Sequence, residues 1–221
     1  MLSFIDIHTH RDYSEPDSTL FIKNILLPNQ NIPAKGFFSA GWHPWHIENY
    51  TLKTIKNELN EVLNHKNMVA IGEFGLDRAI KTPLPFQKEV FNLHLEVAEM
   101  KEKPVIVHCV KAYSDLLEIL KVRRPRQAII LHDFHGSLQQ IEQLLKYNTY
   151  FSIGEINEKQ KTRRSASFQH IPLNRLFIET DESALSIEQI YQNTASLIGI
   201  SLSELKFQVF QNYLAVFGEG E

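Results

Sequence analysis

The sequence predicts a parallel α/β fold of the TIM-barrel type, with seven readable strands and a degenerate eighth. Three observations predict it. Apolar, strand-like runs alternate with helical runs at intervals of roughly two to four dozen residues, with no linker between them. Runs such as Ala128-Ile129-Ile130-Leu131 are apolar throughout, as in a strand covered on both faces. Several of these runs also finish on His, Glu or Asp. An open doubly wound sheet would alternate in the same way, but no glycine fingerprint follows the first strand. Residues 1–221 read as one domain without internal repeats or low-complexity segments.

The chain opens on the strand Phe4-Ile5-Asp6-Ile7-His8-Thr9-His10. Its side chains alternate faces, so Asp6, His8 and His10 share one side and both imidazoles can reach a single ion. Residues 11–35 are polar and punctuated by Pro16, Pro28 and Pro33; within them Ile22–Leu27 reads as a short strand or a helical turn. Gly36–Gly41 is the second clear strand and runs into Trp42-His43-Pro44-Trp45-His46. Leu52, Ile55, Leu59, Val62 and Leu63 recur at helical spacing and place a helix over 51–65. A strand at 67–72 ends in Glu73. The longest helix covers 86–103, with Phe86, Val90, Phe91, Leu93, Leu95, Val97 and Ala98 on a broad apolar face. Pro104 ends it and starts the strand that reaches His108. A helix at 112–122, a strand at 127–132 and a helix at 137–147 follow. Then come a strand at 149–153 stopped by Gly154, a polar helix or loop at 155–170 and a strand at 175–180. Helices at 186–198 and 201–217 close the chain.

Hydrophobic residues make up 43% and charged residues 22%, the balance of an ordinary globular protein. No apolar run reaches bilayer-crossing length. An export signal is not expected, because the first candidate ligand is already residue 8. The single cysteine, Cys109, makes no internal disulfide and fits a reducing compartment. These features predict a cytoplasmic monomer with no membrane contact and no obligate protein partner. A net charge of −3 argues against a surface that grips nucleic acid everywhere. It leaves room for a local positive groove or for bound cations.

In a parallel barrel every strand has its carboxyl end at the same mouth, so residues finishing different strands converge. That gathers His8, His10, Glu73, His108, His132 and Asp181. Taken singly, a histidine is more often a hydrogen-bonded residue than a ligand, and Glu73 or Asp181 alone fits a helix cap. The coincidence of all six at strand ends carries the metal reading. Four imidazoles and two carboxylates exceed the needs of one tetrahedral ion. A pair of divalent ions (zinc, manganese or magnesium) sharing a carboxylate uses all of them, and no thiolate biases the choice.

These blocks resemble the TatD family of metal-dependent hydrolases, within the amidohydrolase-like barrels. The resemblance runs through Ile5–His10, Gly41-Trp42-His43-Pro44, Gly72-Glu73-Phe74-Gly75-Leu76-Asp77 and Pro104–His108. It continues through Leu131–Ser137, Tyr150–Gly154, Ile178-Glu179-Thr180-Asp181 and Asn212–Gly218, in family order over nearly the whole chain. It implies that His8, His10 and Asp181 hold one metal, His108 and His132 the other, and that Glu73 bridges them. It also implies a metal-held water as nucleophile, Asp181 as general base and Asp6 behind the ligands, orienting an imidazole. His43 would line the pocket or merely form a His-Pro turn, and His135 is a possible substrate contact. The substrate class implied is DNA, cleaved at phosphodiester bonds near its ends.

The chain departs from the pattern in what surrounds the metals. Val110 stands where the family carries an Arg two residues past the strand-four His, and Arg is the natural bidentate partner of phosphate. Lys111, next to it, is a point-charge substitute. After Asp181 the chain runs Glu182-Ser183-Ala184-Leu185-Ser186 into a helix, without the family's long loop. The basic run Lys159-Gln160-Lys161-Thr162-Arg163-Arg164 should lie on the metal face, where Arg163 and Arg164 would track a phosphate backbone or simply be solvated. Lys121–Arg126 falls on the opposite end as a solvated turn. Trp42, Trp45 and Phe74 are placed to stack on a base, with packing favoured for at least two of them. His46, His65, His94 and His170 are expected at the surface. Two further readings stay open: the same two-metal chemistry on a small-molecule amide, lactone or phosphoester, and a barrel that binds metal without turnover.

Overall fold

The computed structural model describes residues 2–12, 19–28, 32–33, 35–156 and 167–218. The strands are β1 (Phe4–Thr9), β2 (Thr19–Leu26), β3 (Phe37–Gly41), β4 (Met68–Asp77), β5 (Val105–Val110), β6 (Ile129–Leu131), β7 (Thr149–Ile153) and β8 (Leu176–Ile178). The helices are α1 (Leu52–Val62), α2 (Leu84–Lys101), α3 (Tyr113–Arg123), α4 (Leu138–Leu144), α5 (Ile187–Ile198) and α6 (Leu202–Phe217). The strands follow one another in chain order, β1 to β8, in one eight-stranded sheet. The pairs β3–β4, β4–β5, β5–β6 and β7–β8 are parallel. Thr9 and Asp181 form a parallel bridge, so the chain just past β8 returns beside β1. This is the strand order of the TIM-type barrel. The eighth strand is not a degenerate last one, however. It is β2, within the stretch whose polar interior left strand and turn undecided.

Two compact units make up the chain, Met1–Ile22 with His132–Glu221 and, separately, Lys23–Leu131. In the first, β7 is buried along its whole length, as the apolar pattern requires. The Tyr191 hydroxyl of α5 donates to the Ile5 carbonyl at 2.9 Å and accepts from the Ile5 N–H at 3.2 Å. That ties a helix to the first strand. Ser137, Ser186 and Ser201 cap α4, α5 and α6, the first two as reciprocal boxes with Gln140 and Gln189. Gly199 ends α5 at φ 77°, where a side chain would be strained.

In the second unit β4 is ten residues long and runs past Glu73 to Asp77, pairing Leu76 with Cys109 and Asp77 with Val110. The register needs Gly75, since a Cβ there would overlap the His108 carbonyl. Helix α2 buries Gln87, Val90, Phe91, His94, Leu95, Val97 and Ala98 at helical spacing. Two polar residues therefore sit on its core face. Among the described residues no helix is long and apolar enough to cross a membrane.

His94 corrects the expectation of a surface histidine. It is fully buried, stacks on Phe74, accepts from the Trp42 N–H through Nε2 at 3.1 Å and pairs Nδ1 with the Val90 carbonyl at 2.8 Å. Those partners require the neutral Nδ1–H tautomer. Burial pushes its pKa down from 6.5 to about 4, against a weaker upward pull from Val90. A histidine neutral when folded and protonated when unfolded stabilises the protein above pH 6.5, and that contribution drains as pH falls toward 4. The loss is on the order of 3 kcal/mol across that window. His94→Gln should flatten the pH dependence of urea stability there; a parallel curve would show that His94 is not its source.

Candidate functional site

Within the second unit, the turn after β3 and the strands β4 and β5 bring His43, Glu73 and His108 together. Glu73 Oε1 lies 3.3 Å from His43 Nε2 and 3.1 Å from His108 Nδ1, and all three residues are buried or nearly so. Asn24 of β2 fixes this carboxylate. Its Oδ1 accepts the Glu73 N–H at 2.9 Å, and its Nδ2 donates to Glu73 Oε2 at 3.1 Å. The Ser39 hydroxyl donates to the same Oδ1 at 3.3 Å. One amide thus holds backbone and side chain of Glu73 at once, leaving Oε1 toward the imidazoles. On the other side of His108, Nε2 lies 3.4 Å from Asp77 Oδ2. Burial alone would raise the Asp77 pKa, but donation from Trp45 Nε1 at 2.8 Å and Ala79 N–H at 2.7 Å, with His108 beside it, holds the carboxyl below its usual value. A carboxylate on one imidazole nitrogen directs the other toward a ligand.

Within the first unit, β1 and the segment after β8 bring His8, His10 and Asp181 together. Asp181 Oδ1 stands 3.6 Å from His8 Nε2 and 3.4 Å from His10 Nε2. The placement is a backbone matter: the Asp181 N–H donates to the His8 carbonyl at 2.9 Å, and the His10 N–H to the Asp181 carbonyl at 3.2 Å. Asp6 reinforces it, accepting the Thr180 N–H at 3.0 Å and the Thr180 hydroxyl at 2.7 Å. The His132 ring packs 4.5 Å from that of His8, with Nδ1 3.5 Å from Glu179 Oε1. Glu179 is fully buried; its Oε1 accepts the Asp133 N–H at 2.6 Å, and its Oε2 has no hydrogen-bond partner among the described residues. His135 contacts Asp133 at 2.8 Å and joins Asp133, Gly154, Glu155 and Asp181 in lining a cavity of about 220 Å³.

Lys111 is exposed in the left-handed region at φ 53°. Arg163 and Arg164 lie outside the described residues. Trp42 and Phe74 are fully buried, so packing is their role, whereas Trp45 is exposed. Sequence reasoning missed Asn24, Asp77 and Glu179. Asp77 and Glu179 stand inside the motif blocks Gly72–Asp77 and Ile178–Asp181, whereas Asn24 is marked only by being polar in an apolar run.

Both clusters suit a divalent ion. Their donors are nitrogen and oxygen only, and the gaps of 3.1–3.6 Å bracket the edge of about 3.3 Å that a tetrahedron with ~2.0–2.1 Å bonds requires. Glu179 Oε2 adds a buried acceptor that no donor among the described residues meets.

The family model described as TatD related DNase matches residues 17–218. The human 3′-5′ RNA nuclease TATDN2 is 38% identical over 147 residues, 64% of this chain and 19% of that protein. An uncharacterized metal-dependent hydrolase from Buchnera aphidicola is 33% identical over 158 residues, 68% of this chain and 60% of its own length. The matches thus span less than two thirds of either curated relative. The TatD homologue YJJV from Escherichia coli K12 has the same fold, with a TM-score of 0.83 at 22% identity over 98% of both chains.

Proposed function

This chain belongs to the TatD-related DNase family, and from that premise we propose that it is a two-metal hydrolase of phosphodiester bonds near the ends of single-stranded nucleic acid. The observation that carries the proposal is the pair of histidine–carboxylate clusters, each with ligand atoms at coordination spacing. His8, His10 and Asp181 would hold one ion and His108 and His132 the other, with Glu73 shared between them and His43 in reserve as a further donor. Bound cations supply the positive charge that acidifies a water and neutralises the phosphate. The chain's own residues do the rest. Glu73, held by Asn24, presents Oε1 in one orientation. Asp181 turns Oδ1 to the two imidazoles, which leaves Oδ2 to take the proton from the attacking water and return it to the leaving oxygen. Asp77 and Glu179 keep the His108 and His132 rings aimed.

With manganese or magnesium, the purified protein should shorten end-labelled single-stranded DNA and RNA, and chelation should stop it. Activity indifferent to chelation would end the proposal. A second reading, the same chemistry on a small ester or amide, draws on Val110 standing where a phosphate-binding Arg is expected. A panel of oligonucleotides, cyclic nucleotides and small esters separates the two.

The Asn24 clamp makes a prediction of its own. Asn24→Ala leaves the buried Glu73 N–H and Oε2 without these partners, so manganese affinity should fall about 10–100-fold by calorimetry. Asn24→Asp sets a second carboxylate against Oε2 and should cost more. Unchanged affinity in Asn24→Ala would mean that Glu73 is oriented by something else.

A further inference from the structure

Trp45 is an exposed tryptophan held in one orientation. Trp42, the only other tryptophan in the chain, is fully buried, whereas Trp45 is 61% exposed. An exposed indole would ordinarily sample several rotamers. Here Nε1 donates to Asp77 Oδ2 at 2.8 Å, and the ring meets that of His43 edge-on, 5.0 Å between centroids at 89°. The His108 ring lies 6.3 Å away. Trp45 also lines a cavity of about 380 Å³ with Pro28, His46, Glu48, Asn49 and Tyr50. That volume falls in the range of small-ligand pockets. All of these residues belong to the second unit.

From this arrangement we infer that Trp45 is a stacking platform for a nucleobase of the substrate strand, next to the proposed scissile phosphate. The inference rests on the nucleic-acid reading above and adds the element that engages the base. The only polar atom of the indole is committed to Asp77, so what remains is its π face. A base stacks on such a face with little regard for sequence. Because the ring is already fixed, binding costs less side-chain entropy. Glu48 repels phosphate from the cavity, which directs the base into it and leaves the backbone to the cations that His43, Glu73 and His108 would hold. His46 and Asn49 offer donors and acceptors to base edges. Trp45 thereby supplies part of the substrate grip that Val110 does not.

The test is binding of a nuclease-resistant phosphorothioate oligothymidylate to the metal-loaded protein, against the same backbone carrying abasic sites. Tryptophan fluorescence reports stacking in the parent, since the other indole is buried, and calorimetry gives the affinity of every variant. The oligothymidylate should quench emission and bind about 5- to 150-fold more tightly than the abasic strand, the range expected for one base–aromatic stack. Trp45→Leu should erase the preference for oligothymidylate over the abasic strand, and any loss common to both strands reports the broken Asp77 contact. Trp45→Phe, which keeps a ring but drops the N–H that fixes it, should retain a preference between those of the parent and the Leu variant. Equal binding of the two strands by the parent would overturn the inference. So would equal losses in the Leu and Phe variants, because the indole would then act only by holding Asp77. If the parent neither binds nor hydrolyses any oligonucleotide, the proposed function fails and this inference fails with it.

Discussion

Glu73→Gln should lower kcat/KM on single-stranded DNA by on the order of 10³-fold or more, and it should weaken both metal ions together. Changing a group behind a ligand typically costs about 10–100-fold, so removing the charge of a ligand proposed to serve two ions should exceed that. The substitution preserves shape. Asn24 Nδ2 and the new side-chain amide would, however, meet donor to donor unless that amide turned its oxygen to Asn24. Turning it presents an N–H₂ to His43 and His108, where Oε1 of the parent carboxylate lies 3.3 and 3.1 Å away. Either orientation spoils an acceptor or a clamp. Calorimetric titration with manganese and single-turnover hydrolysis check the two halves of the prediction, with far-UV circular dichroism as control for the fold. Turnover within tenfold of the parent would remove Glu73 from the centre of the mechanism.

Much of this arrangement was legible in the sequence, because the signals were local. Asp6, His8 and His10 follow from the two-residue period of one strand, and β1 places His8 and His10 on the same carboxylate. The helices that the sequence places at 137–147, 186–198 and 201–217 start where Ser137, Ser186 and Ser201 cap them. What was not legible depends on partners far away in the chain. β2 carries Lys23 and Asn24 in its interior, which breaks the apolar pattern. Asn24 is buried because Glu73, 49 positions on, satisfies its amide. β4 reads as ending at Gly72, since Glu73 looks like a strand end; pairing with β5 carries it on to Asp77. His94 is, with Gln87, a polar residue on an apolar helix face, and nothing nearby reveals that the N–H of Trp42, 52 positions earlier, needs an acceptor. Trp45 and Asp77 are 32 positions apart and meet only once both strands are in place. Burial of a polar side chain is thus the common reason for failure. Each such residue answers a need created elsewhere.

Asp181→Asn is the substitution that separates charge from fold most cleanly, for a reason visible in the backbone. Asp181 has φ 50°, in the left-handed region where asparagine is among the few side chains readily accommodated. The backbone bonds from Asp181 to His8 and His10 need no side chain, and the Thr180 grip on Asp6 is untouched. The variant should therefore fold with a Tm close to the parent's. Asp181→Ala, by contrast, adds backbone strain on the order of 1 kcal/mol. What Asp181→Asn removes is an anionic donor 3.4–3.6 Å from two imidazoles and the oxygen proposed to carry the proton. Turnover should fall on the order of 10³-fold, more than general-base loss alone at the low end of about 10²–10⁴. Metal stoichiometry then distinguishes this variant from Glu73→Gln. Asp181→Asn should weaken one ion and spare the other, while Glu73→Gln weakens both. If Asp181→Asn keeps both ions at parental affinity but loses turnover, Asp181 moves protons without holding metal. If it keeps turnover as well, the His8–His10–Asp181 cluster is not part of the reaction.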